Sequence, residues 1–317
     1  MTFEEKFEGC MKNFQNQSSP GYTRNDLYLY ADFIELIALF SKDGVVSVGD
    51  ILDRFYGTIE YSSPEAKDED EIFIKKIFEL LKERSELYNT YYPYLFDDNE
   101  VLLSTKPNIS EHNKLYIYLL ISSKLNIFND FTKELTTEFE YISKEVLEKF
   151  LPNNAIVKNF GRNTAYTGNA RNKIKQLAAD LNLTVDDYEI QQIAERNNQE
   201  RGLDIVGWIP FEDNCMNILV FLAQCACGKN YEVKQHDARR FRNYLNFYKL
   251  EPILIMFISY SLISLRDKKF YHSDLVEKDY LIFERKRIIE LYGFSNFSAM
   301  NSYKIINECI AYKESLV

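Results

Sequence analysis

The chain is poor in several residue types, and each shortage excludes something. It holds five cysteines in 317 residues. So odd and sparse a set does not staple a small secreted scaffold, and free thiols in a reducing cytoplasm are the expectation. Eleven glycines and seven prolines are few for this length, which argues against a loop-rich architecture and for long helices. No apolar run reaches the roughly 18 residues that cross a bilayer. The nearest, 250–265, is interrupted by Glu251, Pro252 and Ser259, and no apolar segment follows Met1. Neither a leader peptide nor a membrane span is therefore expected. Histidine is limited to His112, His236 and His272, none in a nucleophile–base spacing. Cys225-Ala226-Cys227, with Cys215 and His236 nearby, lacks the second cysteine pair that would close a tetrahedral zinc site. Positive charge is also short: 38 Lys and Arg stand against 48 Asp and Glu, a net charge of −10. Such a surface does not coat nucleic acid indiscriminately, although a local basic groove remains compatible with it.

What is present is ordinary for a folded protein: 46% hydrophobic and 27% charged residues, with 23 Tyr and 23 Phe for aromatic cores. The length suits two domains, or one large domain with an elaborated end. From Asn25, apolar residues Leu29, Phe33, Leu36, Ile37 and Phe40 recur at helical spacing and predict one buried helix face. Lys42-Asp43-Gly44 stops that helix, and Ser47 is a candidate N-cap for a short one over 47–55. Helix, short strand and helix in this order suit a small winged-helix-like module, although no Arg- or Lys-rich recognition helix follows. Ser62-Ser63-Pro64 and the acids Asp68 to Glu71 mark a helix start, where Pro and carboxylates are favoured. That helix is expected to bury Ile72, Ile77, Leu80, Leu81 and Leu87. The aromatics Tyr91, Tyr92, Tyr94 and Phe96 have no interleaved cations and read as core. Helices over 110–127 and 131–150 complete a region without a catalytic signature.

Pro152-Asn153-Asn154 marks a shift in composition. The expected division is a mainly α-helical region at 1–150, for sensing, DNA or partner binding, and a second domain at 151–317. Residues 155–176 carry Lys158, Arg162, Arg171, Lys173 and Lys175 and no acid, either a solvated loop or a phosphate-contacting one. Two helices, 172–183 and 186–196, lead to the stretch Gly202-Leu203-Asp204-Ile205-Val206-Gly207-Trp208. It reads as a strand with Asp204, Val206 and Trp208 on one side. A second strand over 217–224 is apolar on both faces, hence central in a sheet, and ends at Gln224. Polar residues at fixed points of a buried hairpin need a reason, because an unpaired buried carboxylate is costly. A basic helix with Lys234, Arg239, Arg240 and Arg242, strands over 252–260 and 280–283, and a helix over 284–292 follow.

Helix, hairpin with an early Asp and a late Gln, helix and strand resembles the core of the PD-(D/E)xK nuclease superfamily, in particular its Mrr-like branch. Members of that branch carry Gly-x-Asp on one strand and Gln-x-Lys at the end of the next. Gly202-Leu203-Asp204 matches the first and Gln224 begins the second, within a resemblance spanning 186–260. The resemblance implies Asp204 as principal metal ligand, Gln224 in the second position, and Glu195 (or Glu189 or Glu200) as a helix-borne carboxylate. It implies Mg²⁺ or Mn²⁺ as cofactor. The chain departs from the pattern at Ala226, where the Lys is expected; Lys229, three residues further on, is the candidate replacement. Arg162, Arg171, Lys173, Lys234, Arg239 and Arg240 are the expected nucleic-acid contacts. The fold implied is α+β or α/β: a helical N-terminal region plus a restriction endonuclease-like core, a mixed central sheet flanked by helices. The function implied is a cytoplasmic Mg²⁺-dependent endonuclease acting on DNA, with RNA left open, in restriction or antiviral defence. It would act as a homo-oligomer or with a partner protein such as an ATPase. Ala226 keeps a second expectation open, an inactive nuclease-fold subunit that binds nucleic acid or a partner protein.

Overall fold

A computed structural model describes the whole chain except residues 22, 59–62, 98–100, 162–163, 165, 195–201, 229–230, 272–277, 294–296 and 316–317. The chain divides into two compact units. Unit 1 comprises Met1–Leu135, Ser259–Tyr271 and Gly293–Val317, and unit 2 comprises Thr136–Ile258 and His272–Tyr292. The end of the chain thus packs in the same unit as its beginning.

In unit 1, α1 (Phe3–Gln15) opens on a reciprocal capping box between Thr2 and Glu5, which satisfies two of its free N–H groups. Helix α2 (Leu27–Phe40) departs from the amphipathic expectation, since every residue from Tyr28 onward is buried. It is a central helix, so Asp32 and Glu35 lie in the core. Strand β1 (Val45–Ser47) follows, then α3 (Val48–Tyr56), which Ser47 caps as its sequence suggests. Helix α4 (Pro64–Tyr88) has Ser63 as N-cap and Pro64 in its first turn. Strands β2 (Tyr94–Phe96) and β3 (Leu102–Thr105) close an antiparallel sheet ordered β1-β3-β2. This part of unit 1 thus runs helix, strand, two helices and a hairpin. Helix α5 (Glu111–Ser122) is buried nearly all round, as expected.

The two core carboxylates of α2 are matched from α4 and the aromatic segment. Arg84 Nη1 lies 2.8 Å from Asp32 Oδ1 and 3.0 Å from Glu35 Oε1, all three side chains essentially inaccessible. The Tyr92 and Tyr116 hydroxyls donate to Glu35 Oε1 at 3.0 and 2.8 Å, and Ser123 Oγ donates to Asp32 Oδ2 at 2.8 Å. Tyr92 and Tyr94 are therefore core, and Arg84 together with the Tyr92, Tyr116 and Ser123 hydroxyls makes the buried acids tolerable.

Unit 2 begins within α6 (Thr132–Phe150) and continues with β4 (Ile156–Asn159), α7 (Ala170–Asp180), β5 (Thr184–Val185) and α8 (Asp187–Gln192). Strand β6 (Ile205–Ile209) and β7 (Leu219–Ala226) form the anticipated hairpin. Helices α9 (Tyr231–Arg239) and α10 (Phe241–Tyr244) and strand β8 (Leu245–Asn246) lead to β9 (Ile253–Ile258). After the short unit 1 hairpin of β10 (Ile263–Ser264) and β11 (Lys269–Phe270) come β12 (Tyr280–Phe283) and α11 (Arg285–Tyr292), and α12 (Ser302–Ala311) ends in unit 1.

The main sheet of unit 2 has five strands ordered β12-β9-β7-β6-β4, so β7 is central as its two apolar faces require. Pairings β4–β6 and β6–β7 are antiparallel; β7–β9 and β9–β12 are parallel. The fold is thus mixed α+β. Strand β4 was not evident in the sequence, which reads there as part of a basic loop. Strand alternation gives the sheet two covered faces. On one, Gly207 sits under Leu147 and Leu151 at the end of α6. On the other, Val206, Trp208, Val220 and Leu222 join Ile174 and Leu177 of α7 and Phe241 of α10 in one core.

Candidate functional site

Asp204 stands immediately before β6 and is held by both neighbouring strands. Its carbonyl accepts from Phe160 N at 2.8 Å and Gly161 N at 3.1 Å, and its N–H donates to Ala223 O at 3.1 Å. Its half-buried carboxylate accepts from the Cys225 N–H through Oδ2 at 2.7 Å. The register Ile205↔Ala223, carried on by one residue, sets Asp204 opposite Gln224. Gln224 is 2% exposed, and its Oε1 is buried with no hydrogen-bond partner among the described residues. An orphaned amide oxygen of this kind costs about 1–3 kcal/mol, so the position is not optimised for stability.

The glycine of Gly202-Leu203-Asp204 has a local explanation. Its φ is +85°, and a Cβ built there would lie 2.2 Å from Asp237 Cβ and 2.7 Å from Asp237 Cγ. Helix α9 thus packs directly on the Gly202 backbone, two residues ahead of Asp204, where any side chain would intervene.

Two further charged groups approach this point. Lys234, on the exposed side of α9, donates from Nζ to the Cys225 carbonyl at 3.4 Å. The Cys225 peptide therefore has Asp204 on its N–H and Lys234 on its carbonyl. Glu140, half-buried on α6, is a carboxylate on the face of the sheet that α6 covers. Burial first, then the charges of Asp204 and Glu140, push the Cys225 thiol well above its ordinary range, while the Ser143 hydroxyl works the other way. Burial likewise pushes up the Cys227 thiol, with Lys234 opposing and Glu140 and Asp204 reinforcing. Asp204, Glu140 and Lys234 thus act on the same two residues at the end of β7. Ala226, at the position where a lysine is expected, is fully buried.

Of the expected site residues, then, Asp204 and Gln224 are brought together. Glu195, Glu200, Lys229 and Arg162 lie outside the described residues. Glu189 lies in the first turn of α8, where its backbone N–H donates to Asp186 Oδ1 at 3.0 Å. Among the expected nucleic-acid contacts, Arg171 donates from Nε to Ile193 O at 2.6 Å and from Nη2 to Gln191 O at 2.8 Å. Arg239 Nη2 donates to Lys278 O at 3.1 Å, Arg240 pairs with Asp237 at 3.0 Å, and Lys173 is buried. These cations brace the unit as well as contribute charge. Sequence reasoning missed Glu140, because α6 falls in the half that it assigned to the helical region. It took Lys234 for a surface contact, because only the return of α9 over the end of β7 brings the two together.

Among the described residues, no group of three or more His, Cys, Asp or Glu side chains is arranged to hold a metal ion. Asp204 and Gln224 offer one carboxylate and one amide oxygen, hard oxygen ligands that suit Mg²⁺ or Mn²⁺ over a thiolate-seeking metal. The orphaned Gln224 Oε1 is the group in this set that lacks a partner and fits a cation. The chain matches no protein-family model, no curated protein and no solved structure.

Proposed function

We propose that unit 2 is a divalent-metal-dependent nuclease domain of the PD-(D/E)xK type, hydrolysing phosphodiester bonds in DNA. The observation that carries this is the buried, unpartnered Oε1 of Gln224 opposite Asp204. Helix α8, the hairpin of β6 and β7, helix α9 and the parallel strand β9 stand in the order that the resemblance implies and support it. Asp204 and Gln224 would hold Mg²⁺ or Mn²⁺. When bound, the ion would supply Lewis acidity toward the phosphate and lower the pKa of a coordinated water. The chain's own residues do the rest. Lys234 replaces the lysine missing at Ala226 and neutralises charge developing on the phosphate. The Cys225 N–H orients the Asp204 carboxylate through Oδ2. With only one carboxylate in the pair, metal affinity is modest until substrate phosphate completes the shell. Restriction or antiviral defence, alone or with a partner protein, is the setting we infer for such an activity.

Ala226 and the Cys225 N–H on Asp204 Oδ2 favour one alternative, an inactive nuclease-fold subunit that binds nucleic acid or protein. Incubation of the full chain with supercoiled plasmid, linear duplex or single-stranded RNA, with Mg²⁺ or Mn²⁺, separates the two. Nicking that is lost in Asp204→Asn and reduced at least tenfold in Lys234→Ala is expected. Absence of cleavage in every arm rejects the enzyme. Gln224→Leu adds an independent readout. Removing an orphaned buried amide should raise stability by about 1 kcal/mol or more, while cleavage falls. Retained cleavage in that variant would remove Gln224 from the site.

A further inference from the structure

Unit 1 carries a feature outside the proposed nuclease site, the hairpin of β10 and β11. Its pairs are Ile263↔Phe270 and Ser264↔Lys269, and the turn between them reads Leu265-Arg266-Asp267-Lys268. Arg266, Lys268 and Lys269 stand within four residues, and every residue from Leu265 to Lys269 is exposed. The tip holds a net charge of +2 in a chain whose net charge is −10. Its one acid is engaged in the turn: the Asp267 N–H donates to Ser264 Oγ at 3.2 Å, and Ser264 Oγ donates to Asp267 Oδ2 at 3.4 Å. Among the described residues, none of the three cations forms an ion pair. By contrast, exposed Lys12, Lys75 and Lys304 of the same unit lie 2.7, 2.6 and 3.4 Å from Glu8, Glu71 and Glu4.

Turn stability does not account for these cations. Lys268 adopts φ +53°, a left-handed backbone that Gly or Asn takes readily and that other side chains disfavour. The chain does use Asn at such a backbone at positions 89, 182 and 214. The root of the hairpin is fixed. Tyr260 OH donates to Ser123 O at 2.9 Å and its ring meets Tyr28 edge-on. Tyr88 OH donates to Ser261 Oγ at 2.8 Å, and Tyr271 N donates to Leu262 O at 2.7 Å. A cationic tip on an ordered root meets a polyanion without the entropy cost of ordering the arm. Residues 265–269 include no aromatic ring on which unpaired bases could stack. Contacts to phosphates of a duplex suit such a tip, and a two-stranded ribbon is narrow enough for the major groove.

We infer that the β10–β11 hairpin is a duplex-DNA contact, with Arg266, Lys268 and Lys269 on the phosphate backbone. This extends the nuclease reading, from which it takes DNA as the partner, by a binding site in unit 1 that needs no metal.

Fluorescence anisotropy of a short labelled duplex, titrated with the full chain in EDTA, measures binding without cleavage. Each phosphate contact contributes about 0.9 to the slope of log affinity against log salt. Arg266→Gln/Lys268→Gln/Lys269→Gln should therefore reduce that slope by about 2–3 and lower affinity by roughly tenfold or more. Lys12→Gln/Lys75→Gln/Lys304→Gln changes the net charge equally and should keep the wild-type slope. Lys268→Gly should weaken binding while its urea midpoint stays at or above that of the wild type, a combination that a merely structural lysine would not give. Absence of duplex binding, a slope unchanged in the hairpin variant, or an equal loss in the charge control overturns the proposal. So does tighter binding of single-stranded DNA, or of polyglutamate, that the hairpin variant abolishes. Hairpin-dependent binding without any cleavage in Mg²⁺ or Mn²⁺ would remove the nuclease reading and keep this one. Cleavage with an unchanged slope would do the reverse.

Discussion

Replacing Gly202 with Ala tests the packing that brings α9 to the candidate site. Two costs can be worked out. The backbone at φ +85° is disfavoured for a residue with a Cβ by about 1–2 kcal/mol. The new methyl would also lie 2.2 Å from Asp237 Cβ, whereas carbon atoms in contact sit about 3.5–4.0 Å apart. Helix α9 must therefore retreat by more than ~1 Å, an overpacking cost of about 1–3 kcal/mol. Together Gly202→Ala should destabilise unit 2 by roughly 2–5 kcal/mol. The chain has one tryptophan, Trp208, which is 4% exposed on β6. Its fluorescence in a urea titration reports unit 2 without interference from unit 1. The double variant Gly202→Ala/Asp237→Gly removes the collision but keeps the backbone strain. It should fall short of the summed single effects by about 1–3 kcal/mol. Additivity within about 0.5 kcal/mol would refute contact with α9 as the reason for glycine. Because Lys234 rides on the same helix, cleavage by Gly202→Ala should also drop and partly recover in the double variant.

In unit 1, Arg84→Met removes the guanidinium that lies against buried Asp32 and Glu35. A loss of about 3–5 kcal/mol is expected from chemical unfolding followed by far-ultraviolet circular dichroism, and a loss below about 1 kcal/mol would show that the tyrosine hydroxyls suffice. Cys215 is exposed while Cys10, Cys225, Cys227 and Cys309 are buried. One thiol should react rapidly with Ellman's reagent at pH 8, and Cys215→Ser should abolish that fast phase. Burial first raises the Cys10 thiol from 9.0 to about 11. Between those values the unfolded chain binds fewer protons than the folded one, so stability falls as pH rises through this window. Cys10→Ala should flatten that decline in urea midpoints measured from pH 8 to 11.

The sequence by itself determined the elements whose signal is local. Ser47 and Ser63 cap helices because a hydroxyl accepts from the N–H three residues on, a rule that acts within one turn. The doubly apolar run up to Gln224 implied a central strand, although β7 runs on to Ala226, and only the register in the structure sets Asp204 opposite Gln224. Where the signal depends on what packs against a segment, tertiary structure decided. Helix α2 shows spacing suited to one buried face yet is enclosed on all sides, and Ile72 has spacing suited to burial yet is exposed. Periodicity reports the side chains of one helix and not the neighbours that cover them. Glu140 and Lys234 converge on Cys225 and Cys227 from helices far apart in the chain, a meeting that only the crossing of α6 and α9 over opposite sides of β7 brings about. The same holds for Gly202, whose necessity lies in Asp237, thirty-five residues away, because a steric exclusion exists only once both backbones are in place.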